Sequence, residues 1–248
     1  MRQSVSVIIP AFNEATTITN PIQSALDTKG VDQIVIVDDG SHDETASIVR
    51  EYLKQHPTDT QVDFIVHDQN KGKSAAIQTA LSHVTGLTVL MLDADIKDLE
   101  PTVLDAFINA YFEKDARMAI YYKYDEHGLT EKIVDMITGA EMLLCGERLV
   151  ETQILRDLSE LESLGYALEV RLNQYCIDQQ KKILLFRGPY FYHVIKQKKQ
   201  NYSQLSGLWA NVKMTKQIIA KSSIGTYFRQ KRYFSKLLSE AVWYKSAN

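Results

Sequence analysis

The sequence predicts an α/β fold, a mixed but mainly parallel sheet flanked by helices, followed by C-terminal amphipathic helices. Three observations carry this. Short β-branched runs alternate with helical apolar spacing through the first 95 residues, the pattern of a parallel sheet covered on both faces. Polar residues gather where those runs end. The chain has 248 residues, 45% hydrophobic and 24% charged, which suits one large α/β domain and excludes disorder, collagen and coiled coil for the whole.

Val5–Ile9, closed by Pro10, reads as a buried strand. Ala15, Ile18, Ile22, Ala25 and Leu26 then fall at helical spacing, with Pro21 kinking the helix or starting it near Asn20. Gln33–Val37 is a second strand, ended by Asp38, Asp39, Gly40 and Ser41. Ser41 or Asp43 caps a helix with Ala46, Ile48, Val49, Tyr52 and Leu53 on one face. Val62–Val66 is a third strand, and the loop Asn70–Ser74 opens a helix carrying Ala75 to Leu81. Thr88–Leu92 is a fourth strand, ending at Asp93, Ala94 and Asp95. Beyond it the spacing predicts a helix over Val103–Lys114, a strand over Met118–Tyr124 and an apolar stretch over Ile133–Leu144. Glu151–Glu162 and Leu168–Gln179 read as helices, Ile183–Phe186 and Tyr190–Val194 as strands, and two basic amphipathic helices follow residue 205.

The net charge of −3 conceals an asymmetry. Residues 1–180 hold 14 Lys/Arg against 30 Asp/Glu, and residues 181–248 hold 14 against Glu240 alone, so the body is at −16 and the tail at +13. Such a tail calls for an anionic partner, or packs on the acidic body or a second subunit. Cys145 and Cys176 are not spaced as a metal clip or a disulfide framework, so a reducing, cytoplasmic compartment is expected. The N-terminus carries no signal-peptide pattern, and nowhere do about 18 apolar residues run together, so no membrane-spanning helix is expected.

In open parallel sheets ligands bind at the carboxyl ends of the strands. Asn13 and Glu14 follow the first strand, Asp38 and Asp39 the second, Asp93 and Asp95 the fourth. Two carboxylates two residues apart can present oxygen to a hard cation, and such an ion can bridge a diphosphate. Asp39 and Asp93 at adjacent strand ends are costly to bury unless something cationic or hydrogen-bonding lies between. Lys73, in the loop that opens a helix on the same rim, meets that need, and helix N-termini favour phosphate. The set suits a nucleoside diphosphate with its metal. No G-x-G-x-x-G or G-x-x-x-x-G-K-[ST] is present, which removes dinucleotide-fingerprint and P-loop readings.

Val7–Glu14, Ile36–Ser41, Asn70–Ala75 and Leu92–Asp95 together resemble, in order and spacing, a family 2 glycosyltransferase of the GT-A fold. The resemblance implies a nucleotide-sugar half over residues 1–98 and an acceptor half over 99–204, with 205–248 as a basic helical tail. By it, Pro10, Ala11, Asn13, Glu14 and Asp39 hold the base and ribose, Lys73 lies beside base or diphosphate, Asp93 and Ala94 lie near the ribose, and Asp95 holds Mg2+ or Mn2+. A carboxylate accepts the N3–H of uracil, which cytosine lacks, so a UDP-sugar is the expected donor. Cys145–Arg148 and Leu164–Glu169 are similar to the acceptor half of polyprenyl-phosphate sugar transferases and of glucosyl-3-phosphoglycerate synthases. That likeness implies acceptor contacts from Gly146 and Arg148, Glu169 near the sugar, and His193 as a second metal ligand. The other five histidines read as surface or helix positions.

Glu169 lacks the following Asp of many inverting members, and the Gln-x-x-Arg-Trp of processive polymerases is absent, so transfer of a single sugar is expected. Glu169 would deprotonate an acceptor hydroxyl in an inverting transfer, or position the sugar in a retaining transfer to a small phosphorylated acceptor. A phosphate-bearing or lipid acceptor at the membrane surface is the leading expectation. A non-catalytic sugar-nucleotide-binding scaffold and a sugar nucleotidyltransferase are the other classes, the latter disfavoured because Ala11–Glu14 stands where a Gly-rich loop with Arg is wanted. In the tail, Tyr227, Phe228, Tyr233, Phe234, Trp243 and Tyr244 interleave with cations. This suits a peripheral contact with the anionic inner face of a membrane, or a homodimer contact. Nucleic acid is not expected, because the acidic body repels it.

Overall fold

The structure, a computed structural model, describes residues 4–124, 144–158, 160–189, 191–193 and 224–244. Strands β1 (Val5–Ala11), β2 (Val31–Asp38), β3 (Gln61–Val66) and β4 (Thr88–Met91) alternate with helices α1 (Thr19–Leu26), α2 (Thr45–Gln55) and α3 (Lys73–Leu81). Next come β5 (Ile96–Lys97), α4 (Pro101–Glu113), β6 (Met118–Tyr124), β7 (Arg148–Glu151), α5 (Thr152–Asp157) and α6 (Leu168–Asp178). The remainder are β8 (Ile183–Pro189), β9 (Tyr192–His193), α7 (Ile224–Leu237) and β10 (Val242–Trp243). Eight strands form one sheet in the order β10-β8-β6-β7-β4-β1-β2-β3, and β5 pairs with β9 in a small ribbon. All pairings in the large sheet are parallel except those of β7, which runs antiparallel to β4 and β6.

Both faces of the central strands are buried, which is why β1, β2 and β4 are mostly apolar rather than alternating, while the edge strand β3 stays partly exposed. On β1, Val5, Val7 and Ile9 face one core with α1 and α4, while Ile8 faces the other with α3, α6 and α7. This is the mixed, mainly parallel GT-A sheet that the sequence predicts.

Four local features refine or depart from these expectations. Helix α1 starts at Thr19, close to the later of the two starts allowed by Pro21. The helix expected over Glu151–Glu162 ends at Asp157, and Glu160, at φ 59°, separates it from a single 3-10 turn over Leu161–Ser163. Strand β8 continues through Gly188 to Pro189 in register with β6. Only glycine fits there, since a Cβ would lie 2.0 Å from the Tyr121 hydroxyl oxygen, and that hydroxyl donates to the carbonyl of Pro189 at 2.8 Å. β10 was read as part of a helix, but pairs with the edge of β8. Of the apolar stretch Ile133–Leu144 only Leu144 is described, and the first expected tail helix lies outside the described residues.

The described tail packs on the body. Phe234 and Gln230 are fully buried against α6, and Tyr233 and Tyr244 are partly buried. Phe228 (61% exposed) and Trp243 (49%) are the tail aromatics that face outward among the described residues. No helix among the described residues is long and apolar enough to cross a membrane.

Candidate active site

The carboxyl ends of β1, β2 and β4 open on one rim of the sheet, and there lies a cavity of about 830 Å³. Of the expected residues, Pro10, Ala11, Glu14, Asp39, Lys73, Asp93, Ala94, Asp95 and Glu169 line it. Asn13 does not. At φ 57°, its backbone N–H donates to Ser41 Oγ (2.8 Å) and its Oδ1 accepts from the His42 N–H (2.9 Å). It thereby ties the loop after β1 to the turn after β2.

Asp39 is 2% exposed. Its Oδ1 accepts from His67 Nδ1 (2.7 Å) and the Lys71 N–H (2.9 Å), and its Oδ2 from the Gly72 N–H (2.7 Å). Gly40, at φ 69°, permits this packing: a Cβ there would stand 2.5 Å from the backbone carbon of Gln69. His67 is buried rather than on the surface or in a helix as the sequence suggested. With Nδ1–H donating to Asp39, its other ring nitrogen accepts from the Thr79 hydroxyl at 2.9 Å. The signal was its place one residue past β3, level with Asp39 one residue past β2.

Lys73 begins α3 and Glu169 lies in the first turn of α6; Ser74 Oγ joins the two segments by donating to the Gly165 carbonyl at 3.0 Å. The Lys73 ammonium lies 2.6 Å from Asp93 Oδ1 and 3.4 Å from Glu169 Oε1. Burial alone would pull this ammonium down, but Asp93 and then Glu169 outweigh it and raise its pKa above the ordinary lysine value. It stays charged, a cation between Asp93 and Glu169 rather than between Asp39 and Asp93 as the sequence suggested. The reason is that β1 separates the ends of β2 and β4, and Asp39 is met by His67 and two backbone N–H groups instead.

Because β7 is antiparallel, its leading residues stand at the same rim as the end of β4. Met91 pairs with Arg148, which brings Gly146 opposite Asp93. A Cβ on Gly146 would lie 2.8 Å from Asp93 Oδ2 and 3.0 Å from Lys73 Nζ, so only glycine lets the pair sit there. Beside it is a second cavity of about 260 Å³, lined by Asp93, Lys123, Cys145 and Glu147 among others. The Lys123 ammonium sits 4.1 Å over the Phe191 ring and 3.9 Å from Glu147 Oε2. The Cys145 thiol donates to Glu147 Oε2 at 3.0 Å; burial first, and then Glu147, push it well above the usual thiol range. Cys145 and Glu147 fall in the acceptor motif without a role of their own, and Lys123 is not singled out, because the sequence does not show that β6 and β7 are neighbours.

Arg148, expected to face an acceptor, lines neither cavity. Its side chain is wholly buried, with Nε donating to the Cys145 carbonyl and Nη1 to Asn173 Oδ1, both at 2.6 Å. For the expected metal ligands, Asp95 lines the large cavity, and β5–β9 pairing places the backbone of His193 opposite Ile96. Among the described residues no three His, Cys, Asp or Glu side chains form a ready metal-binding group. What the described residues offer a hard divalent ion at this rim is the carboxylate oxygen of Asp95.

Residues 6–143 match the model of the family described as Glycosyl transferase family 2. A dolichyl-phosphate beta-glucosyltransferase of Trichomonas vaginalis is 37% identical over 100 residues, 37% of this chain and 30% of that protein. An undecaprenyl-phosphate 4-deoxy-4-formamido-L-arabinose transferase of Edwardsiella ictaluri is 37% identical over 100 residues, 39% of this chain and 30% of that one. The match thus spans less than a third of these relatives' length. Glucosyl-3-phosphoglycerate synthase from Mycobacterium tuberculosis, solved in complex with Mn2+, UDP and glucosyl-3-phosphoglycerate, superposes with a TM-score of 0.66 at 20% identity, over 92% of this chain and 80% of that one. That is a likeness of fold. With more than half of its length matched by the family model, and with the family's motifs gathered on one rim, the chain belongs to glycosyl transferase family 2.

Proposed function

We propose that the chain is a glycosyltransferase that binds a UDP-sugar in the large cavity and transfers one sugar to a phosphate-bearing or lipid acceptor approaching past Gly146. The observation that carries this is the Lys73 ammonium held between Asp93 and Glu169 on the rim where β1, β2 and β4 end. The names of the two lipid-phosphate relatives support the acceptor class, and so does Lys123 in the smaller cavity.

Asp95, with His193, would hold Mg2+ or Mn2+. Such an ion, when bound, neutralises charge on a diphosphate. The residues divide the remaining work. A carboxylate has about four acceptor positions, and three bonds to Asp39 leave one on Oδ2, where the N3–H of uracil can be received. Pro10, Ala11 and Glu14 wall the base, Asp93 and Ala94 the ribose. Lys73 stays protonated and faces the diphosphate. Glu169, within reach of Lys73, takes the proton of an acceptor hydroxyl; with a phosphate acceptor no strong base is needed, and Glu169 orients the sugar instead. The second reading is a retaining transfer to a small phosphorylated acceptor. It is favoured by the modest volume of the cavity around Lys123. In either case the outward Phe228 and the cations Arg229, Arg232 and Lys236 of α7 offer a peripheral contact with anionic lipid on the cytoplasmic face.

Calorimetry with UDP, CDP and GDP, with Mn2+ or with EDTA, tests the donor half. UDP with Mn2+ should bind most tightly, and Asp95→Ala should weaken it at least about tenfold without loss of fold, the scale of one lost charge-assisted contact. Equal affinity for the three nucleotides would remove Asp39 from base selection. Indifference to EDTA would remove the metal.

A further inference from the structure

Behind the cavity wall three wholly buried polar side chains form one hydrogen-bonded run. Arg148 on β7 donates from Nη1 to Asn173 Oδ1 on α6 at 2.6 Å, and Asn173 Nδ2 donates to Gln230 Oε1 on α7 at 3.3 Å. Gln230 Nε2 returns to the Val170 carbonyl of α6 at 2.9 Å. All three residues have no solvent exposure. A buried guanidinium is tolerated only where its donors are met, so such a run is expensive to keep for packing alone.

The places where these bonds end are informative. Arg148 Nε holds the Cys145 carbonyl at 2.6 Å, which belongs to the peptide that carries the Gly146 nitrogen. Gly146 in turn backs directly on Asp93 and Lys73. Asn173 lies four residues after Glu169, on the same face of α6, and Val170 is the next residue after Glu169. Burial lowers the Arg148 pKa, and Glu169 provides the largest of the charge interactions that oppose this. The run therefore grips both flanks of the Lys73–Asp93–Glu169 cluster from the side away from the cavity.

We propose that Arg148, Asn173 and Gln230 are positioning residues that hold Gly146 and Glu169 in register with Lys73 and Asp93, and that Gln230 makes α7 a working part of the site. The role in turnover rests on the reading of the large cavity as the transfer site; the positioning itself does not. Arg148 thus acts on the acceptor side through its neighbours and not by touching a ligand.

The test uses the full chain and two readouts. In amide hydrogen exchange, Gln230→Met should speed exchange at Cys145–Glu147 and at Leu168–Val170 about tenfold while leaving β1, β2 and β4 unchanged, the mark of local loosening. No change, or the same change everywhere, overturns the proposal. Asn173→Leu, which loses both bonds, should reproduce the effect, and Asn173→Asp, which keeps the acceptor for Arg148, should restore wild-type exchange at Cys145–Glu147. If Asn173→Asp is as loose as Asn173→Leu, the link through Arg148 is wrong. The second readout is release of UDP from UDP-glucose with Mn2+. Gln230→Met should lower kcat about tenfold with KM little changed, and should add no further loss in a Glu169→Gln background. Fully additive losses overturn the coupling. A wild-type chain that releases no UDP sinks the transferase reading instead, and the exchange result still decides the positioning.

Discussion

Gly146 separates a role in the site from a role in the fold. The atoms nearest to a methyl group at this position are the carboxylate oxygens of Asp93 and Lys73 Nζ, the ends of two flexible side chains. Gly146→Ala should therefore leave the unfolding midpoint nearly unchanged while displacing the Lys73–Asp93 pair. UDP affinity should fall about tenfold, the scale of a weakened charged hydrogen bond. A large loss of stability with unaltered UDP binding would show that the glycine serves the fold instead. At this scale the sequence was most legible where a charged residue ends a strand. Asp39, Asp93, Asp95 and Lys73 could be placed on one rim from alternation alone. Glu169 needed the family resemblance, since nothing in its local pattern separates a buried helix carboxylate from an exposed one. The inward direction of Arg148 and the burial of His67 escape the sequence for the same reason: a side chain's direction depends on neighbours far along the chain. For Arg148 those neighbours are Cys145 and Asn173, and for His67 they are Asp39 and Thr79.

Helix α7 shows how an element can be right in kind and misjudged in use. Its cations and aromatics suggest a surface helix, yet Phe234 is wholly buried in the core shared with α3 and α6. Phe234→Ala should cost about 3–5 kcal/mol, as for other buried aromatics, measured by urea unfolding of the full chain. A cost below about 1 kcal/mol would mean that α7 is only loosely docked. A chain ended near Lys221 would lose this packing together with β10, so substitutions at Phe228, Arg232 and Lys236 are the cleaner probe of vesicle binding. The elements from β1 to α4 were readable because the helices repeat apolar residues at helical spacing and the strands between them are short, mostly apolar runs. The two-residue strands β5, β9 and β10 were not all separable from loops or helices, since a run of two has no period. Antiparallel β7 was invisible because its insertion between β4 and β6 is a matter of topology.

For the molecule as a whole, charge separation between body and tail is partly resolved inside the fold. Arg229 of α7 meets Asp178 of α6 at 2.9 Å, though both are exposed and such a pair contributes at most about 1 kcal/mol. Buried thiols matter more to the response to pH. Burial lifts Cys176 from 9.0 to about 12, against smaller opposing effects from Arg148 and Lys181, and Cys145 is raised as well. A raised folded-state pKa means that the stabilisation is complete below the unfolded value and is lost as pH climbs toward the folded one. Stability should thus be flat up to about pH 8 and then fall above pH 9.0, approaching about 1.4 kcal/mol per pH unit for each thiol. Urea titrations between pH 8 and 11 check this, and Cys176→Ala should roughly halve the slope contributed by the two thiols. A slope unaltered by that change would assign the alkaline limb to other groups, such as Tyr111, raised by burial from 10.0 to about 12.

The parallel pairing of β10 with β8, Val242 beside Phe186, also has a consequence in time. Strands β1, β2 and β3 are joined by short crossovers and can zip together early, whereas the far edge of the sheet must wait for a segment more than fifty positions downstream of its partner. Closing such a loop is an entropic delay. Quenched-flow labelling should find amides of β1 and β2 protected before those at the end of β8; simultaneous protection would refute a staged assembly. Lys73 lies between β3 and β4 and Glu169 beyond β7; if the two meet only after the main barrier, the nucleotide site is completed late. UDP should then leave the refolding rate untouched and act on the reverse step alone, lengthening the lifetime of the finished protein.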